Sequence, residues 1–231
     1  MQKIKLWDLP TRVFHWLLTL AIVLLFVTGI EGGNLIDAHG KLGIFVAGLL
    51  AFRLVWGVIG STYVRFLQFF PTPSSTLAYL QGKWHGYGHN PLGACSVFTL
   101  LLLILIQTVS GLISNDEISF YGPLYKLVDH DVSLWWTGFH KQLAYYGLAV
   151  LVGLHVAAML FYKLVKKKDL FTPMLTGKKE VPPEDADKGY KGGGLLSLVV
   201  ALLFAVLVMW GASGAWMPAP PPPAATETPS W

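Results

Sequence analysis

Residues 140–155 read HKQLAYYGLAVLVGLH, two histidines enclosing a stretch in which Lys141 is the only charge. From 143 to 165 the chain is long and apolar enough to cross a bilayer core of about 30 Å, which takes about 20 helical residues. Lipid offers the backbone no hydrogen-bond partner, so a spanning segment is a helix or part of a closed barrel. Four further runs have the same character, at 13–30, 42–60, 92–113 and 195–211. All five are apolar throughout rather than alternating, which selects helices over barrel strands. The composition agrees. The 231 residues are 54% hydrophobic and 13% charged, against about a quarter charged in a soluble domain.

The expected fold is therefore an all-α integral membrane protein. Residues 1–180 form a four-helix transmembrane bundle, with spans at about 13–30, 42–60, 92–113 and 143–165. Residues 181–194 form a linker, 195–213 a fifth, C-terminal transmembrane helix, and 214–231 a Pro-rich tail. Lys3, Lys5 and Arg12 before the first run resemble the n-region of a signal peptide. The run is longer than a typical h-region and no small-x-small site follows, so it reads as a retained helix. Trp7, Trp16, Trp56, Trp84, Trp135, Trp136 and Trp210 fall at or near run ends, as an interfacial belt does.

Charge sets the expected orientation. Three Lys and Arg precede the first run, two (Arg65, Lys83) lie in the second loop and eight in the fourth. The intervening segments carry one (Lys41), two (Lys126, Lys141) and none. Positive charge stays in the cytoplasm, which places the N-terminus inside and the C-terminus outside. Lys166, Lys167 and Lys168 read as an anchor to anionic headgroups. The stretch 166–191 reads as a flexible cytoplasmic connection, and the tail MPAPPPP from Met217 as extended polyproline. The net charge of +4 follows from topology, so a nucleic-acid partner is not indicated.

Four histidines lie in or at the ends of these runs: His15, His39, His140 and His155. Imidazole at such depths is costly without a partner or a job. The topology puts His39 and His140 near the outer face and His15 near the inner one. His155 lies 15 residues inward of His140, about 22 Å. Two depth-matched pairs result, His39 with His140 and, more loosely, His15 with His155. A lone histidine near a helix end is usually interfacial. Two pairs, with two members on one helix, instead match bundles that hold haem b iron from both faces. The sequence has one cysteine, Cys95, hence no Cys-x-x-Cys-His for covalent attachment; Cys95 reads as a packing residue.

On an uninterrupted α-helix, His140 and His155 lie about 60° apart, and His39 and Arg53 about 40° apart. Arg53 then points inward near the inner site, where a haem propionate suits it; the alternative is a guanidinium that snorkels to the cytoplasmic surface. Arg12, three residues before His15, has the same two readings. Gly29, Gly43, Gly48, Gly111, Gly147 and Gly153 permit close approach of helices or of a flat macrocycle. His85 and His89 sit in the second loop, within WHGYGHNP. Its glycines and Pro91 argue against a helical metal pair. The loop reads as a cap on the third helix or as a polar rim that bonds a quinone carbonyl and delivers a proton. His130, between Asp129 and Asp131, reads as a solvated loop residue.

The stretches WDLPTRVFHW from Trp7, HGKLG from His39, FRLVWG from Phe52, HNPLGA from His89, and the run from His140 through His155 together resemble the bacterial cytochrome b561 family. That family includes the b-type cytochrome subunit of nickel–iron hydrogenases, and the resemblance covers roughly residues 5–180. It implies a four-helix core with two bis-histidine b haems whose ligand positions coincide with His15, His39, His140 and His155. It also implies electron exchange between membrane quinone and a redox partner, in a bacterial inner membrane. The fifth helix and tail depart from the core and leave room for another partner or an assembly role.

The function expected is electron transfer between quinone and a periplasmic partner such as a c-type cytochrome or hydrogenase, with the acidic third loop suited to a basic surface. One alternative is a superoxide:quinone oxidoreductase, a chemistry known in the family. Six acids against three lysines in the outer loops disfavour an anionic substrate. The other is a haem-free transporter or scaffold, which a visible absorption spectrum separates from a cytochrome.

Overall fold

The structure is a computed structural model and describes residues 2–218. Most of the Pro-rich tail lies outside the described residues. A short strand β1 (Gln2–Lys5) leads into α1 (Leu9–Glu31). Asp8 caps that helix by accepting the Thr11 N–H at 2.7 Å, and Pro10 stands in its first turn, where a missing N–H costs nothing. The chain turns at Gly32, whose φ of 59° suits glycine, and enters α2 (Ile36–Ile59). Two short helices follow, α3 (Phe66–Phe69) and α4 (Pro73–Leu80). Asn90 caps α5 (Pro91–Leu112) through the Gly93 N–H at 2.8 Å.

Next comes the longest helical stretch, α6 (His130–Gln142), a π-helical turn (Leu143–Leu148) and α7 (Ala149–Leu164). The short α8 (Phe171–Thr176) and the strand β2 (Lys178–Val181) precede α9 (Leu195–Ala212). Five segments are long and apolar enough to cross a membrane, and the chain is a multi-pass membrane protein. The five runs expected from sequence all become helices. The fourth, however, starts at His130, so His140 sits within a helix rather than ahead of one.

The helix α2 is the centre of the bundle. Its residues from Val46 to Arg53 are all buried, and it packs against α1, α5 and α9. Between lipid-embedded helices, close fit rather than hydrophobicity drives association. Accordingly Ala201 and Ala205 of α9 are buried, and a Cβ on Gly48 would lie 2.5 Å from Met209. The fifth helix is thus packed onto the core. The large apolar side chains left exposed on α1, α7 and α9, such as Val23, Leu160 and Leu203, face the position of lipid.

One end of the bundle carries β1 and β2, paired antiparallel with Gln2 opposite Val181; it is called the strand end here, and the opposite end, with residues 113–129, the loop end. Where a flexible connection was expected, residues 178–193 are tied down. The Tyr190 N–H donates to Lys5 O at 2.8 Å and the Thr62 N–H to Lys191 O at 2.9 Å. Tyr63 donates to Lys188 O and Tyr87 to Asp185. These bonds fold the connection over the strand end.

Asp8 does more than cap α1. Its buried carboxylate also accepts from Trp56 Nε1 at 3.1 Å and from the Ser61 hydroxyl. It therefore joins the start of α1 to the end of α2, and an acceptor lost from such a site costs about 1–3 kcal/mol. This holds Trp56 inside the fold, one part of a departure from the expected interfacial belt. Trp7 and Trp56 are buried, whereas Trp135 and Trp210 are exposed as a belt requires.

Candidate functional site

The two histidines expected near one face meet at the loop end. The His39 and His140 rings lie with centres 6.1 Å apart and planes at 83°. A metal–imidazole bond is about 2 Å and a ring centre lies roughly 1 Å behind its nitrogen, so two imidazoles sharing one metal ion have centres about 6 Å apart. Each ring is held through Nδ1. His39 Nδ1 lies 3.1 Å from Leu25 O and 3.2 Å from the Thr28 hydroxyl. His140 Nδ1 lies 3.0 Å from Gln107 O and 2.9 Å from the Ser110 hydroxyl. His140 Nε2 accepts from the Gln107 side-chain amide at 3.1 Å, a bond that an iron ligand bond would replace. A carbonyl oxygen only accepts, so Nδ1 carries the proton and Nε2 the lone pair. Such a bond fixes the tautomer and raises the basicity of the ligating nitrogen.

Glycines let the rings seat against neighbouring helices. A Cβ on Gly29 of α1 would lie 3.0 Å from His39 Cε1, and one on Gly111 of α5 would lie 2.9 Å from His140 Cε1. The pair lines a mainly apolar cavity walled by residues such as Leu25, Phe26 and Leu148, with Lys141, Thr137 and Asp116 among its polar lining. Sequence reading did not single out Thr28, Gln107, Ser110 or Lys141 as site residues. Gln107 carried a signal, as a lone amide near the end of the apolar run LLLLILI.

At the strand end the chain gathers a second set. His89 lies among Arg53, His15 and His155, and burial followed by their positive influence pushes its pKa down to about 3. Its imidazole lies tilted against Trp7 and Phe69, each at 4.7 Å between ring centres. Among the described residues, the Nδ1 atoms of His15 and His89 are buried without a partner, as is Arg53 Nη1. Arg53 is 4% exposed and lies over the Phe66 ring at 4.4 Å; it does not snorkel. Arg12 is used otherwise, for its Nη1 donates to Leu175 O at 2.6 Å and ties α1 to α8. The structure separates His85 from His89. His85 is exposed, and its Nδ1 bonds Lys83 O at 2.9 Å. His130 pairs with Glu117 at 2.9 Å on the surface.

The residues present fit haem b. At the loop end the paired imidazoles, their tied Nδ1 atoms and the apolar walls suit a flat, apolar macrocycle; at the strand end the buried Arg53 Nη1 suits a carboxylate arm. The chain matches the family profile of prokaryotic cytochrome b561 over residues 6–177. It belongs to the prokaryotic cytochrome b561 family. This cytochrome is 24% identical over 165 residues to the probable Ni/Fe-hydrogenase 1 B-type cytochrome subunit of Escherichia coli K12, covering 57% of this chain and 68% of that protein. It is 20% identical over 217 residues to the probable Ni/Fe-hydrogenase B-type cytochrome subunit of Bradyrhizobium diazoefficiens, covering 77% and 86%. The corresponding Azotobacter vinelandii protein is 24% identical over 217 residues, covering 75% and 87%. No solved structure gives a significant match. Membership of a b-type cytochrome family makes haem b the cofactor class and membrane electron transfer the coarse function.

Proposed function

We propose that this cytochrome carries two b haems across the bacterial inner membrane and passes electrons between quinone and a redox partner. The observation that carries the reading is the facing of His39 and His140, each oriented through Nδ1. Haem b supplies one-electron iron chemistry at a potential set by its axial ligands and surroundings. The chain supplies the rest. His39 and His140 would hold one haem at the loop end, and His15 and His155 the other at the strand end. Arg53 Nη1 would neutralise a propionate of the second haem, and Lys141 one of the first. Apolar walls would keep water from the iron, and two histidines on each iron would leave no position for oxygen.

His89 Nδ1, buried and unpartnered among the described residues beside the second set, would donate a hydrogen bond to a quinone carbonyl. The lysine-rich strand end is cytoplasmic by the positive-inside rule, which makes the loop end periplasmic. The loop end presents Asp116, Glu117, Asp129 and Asp131, suited to a basic docking face. The hydrogenase subunits among its relatives support a hydrogenase as the partner, and a c-type cytochrome has the same charge logic. The acids count against a superoxide-consuming reading.

Haem analysis of the purified protein tests this. Two haems per chain and a split α-band after dithionite reduction are expected. His39→Ala and His140→Ala should abolish the same haem, and His15→Ala and His155→Ala the other. Loss of different haems in His39→Ala and His140→Ala would break the pairing. A preparation that stays colourless with added hemin would end the cytochrome reading for this chain.

A further inference from the structure

The fourth span is not a plain α-helix between its two histidines. Residues Leu143–Leu148 form a π-helical turn, and the Ala149 N–H bonds to Ala144 O, five residues back. Such a turn takes up one extra residue without changing the course of the helix on either side, and π-turns recur at functional sites. Its effect here is angular. On a plain α-helix, with about 100° per residue, the step from His140 would set His155 about 60° past whole turns. With one residue absorbed, the spacing behaves as 14, which is about 40° short of whole turns and a rise of about 21 Å. The two geometries differ by about 100° in the direction of His155. At a side-chain radius of about 5.5 Å that is a displacement of about 8 Å.

The second span provides an internal standard. It runs in the same direction as the fourth and is α-helical from Ile36 to Ile59. His39 and Arg53 stand on it at that same shortened spacing. The π-turn therefore gives the fourth span the same twist and rise as the second. His140 faces His39 at one level, and His155 joins Arg53, His15 and His89 at the other. We propose that the π-turn at Leu143–Leu148 is a one-residue register device that aligns His155 with the strand-end site while His140 stays on the loop-end site. The inference rests on the di-haem reading and assigns a positioning role to a segment that carries none of the four histidines.

The two halves of the span are unequally anchored. On the loop-end side, Ser133 donates to Ile113 O, Thr137 bonds Asn115, and His140 bonds Gln107 and Ser110. No residue of α7 is buried. A change in the turn should thus swing α7 and leave α6 in place.

Two variants of the full chain test this, each measured for haem per protein and for its reduced spectrum beside wild type and His155→Ala. Deletion of Tyr146, which is 80% exposed, should convert the turn to α-helix and retain two haems. Insertion of one alanine after Tyr146 should retain one haem, with the spectrum of His155→Ala. A deletion variant with fewer than two haems, or an insertion variant with two or none, overturns the register role. Fewer than two haems in wild type would instead overturn the di-haem reading, so the two failures are distinguishable.

Discussion

Gly111→Ala is a small change with a large expected effect on one haem. The added Cβ would lie 2.9 Å from His140 Cε1 and 3.3 Å from Nδ1. Ordinary carbon–carbon contact begins near 3.5 Å, so the ring must retreat by about 0.6 Å. Metal–ligand distances tolerate only about 0.2 Å. The ring is not free to slide, because Nδ1 is held at 3.0 Å by Gln107 O and at 2.9 Å by the Ser110 hydroxyl. Overpacking of this kind costs about 1–3 kcal/mol, roughly a 5- to 150-fold loss of affinity. Transfer of haem from the detergent-solubilised protein to apomyoglobin, followed at the Soret band, reads that loss. One haem should leave faster and the other at the wild-type rate. Gly138→Ala is the control: it lies two residues from His140 on a helical position with no neighbour within 4 Å. Its haem transfer should be unchanged. Wild-type retention of both haems in Gly111→Ala, or equal loosening of the two, would refute a ligand ring seated on the glycine.

Arg53→Gln removes a buried positive charge with an unpartnered Nη1 from the strand-end set. A redox titration should show the midpoint potential of that haem shifted negative, because the reduced iron loses a stabilising charge, and the loop-end haem unmoved. The low pKa of His89, about 3 through burial and then the nearby Arg53, His15 and His155, makes it neutral in the folded protein. In the unfolded chain it titrates near 6.5. Acid therefore favours unfolding increasingly from about pH 6.5 down towards the folded value. The Tm of the haem-loaded protein should fall over that window, and His89→Gln should flatten part of the fall; an unaltered profile would mean that the imidazole is solvated.

How much was legible depended on how local the signal was. Each spanning run is a property of about 20 consecutive residues, so all five spans were readable, although the fourth begins at His130, thirteen residues before the apolar run expected from 143. The levels of the histidines along the bundle were readable, since rise per residue along a helix is constant, and His39 does face His140. The partners of their Nδ1 atoms were not. Thr28, Gln107 and Ser110 are ordinary polar residues until packing brings α1 against α2 and α5 against α6. Arg53 was readable as inward-facing, while only the fold showed that Arg12, apparently its equivalent, is bound to the end of α8. The π-turn had no visible signature, and it altered the angle expected between His140 and His155.

By itself, the sequence determined that the chain crosses a membrane as helices and carries four imidazoles at two depths. Both follow from water and lipid acting on each segment separately. Only the tertiary structure decided which atoms orient the imidazoles, that the fifth helix packs into the core through Gly48 and Met209, and that the connection at 178–193 folds over the strand end. Those outcomes depend on contacts between segments far apart in the chain, where shape and hydrogen-bond geometry, rather than composition, select one arrangement.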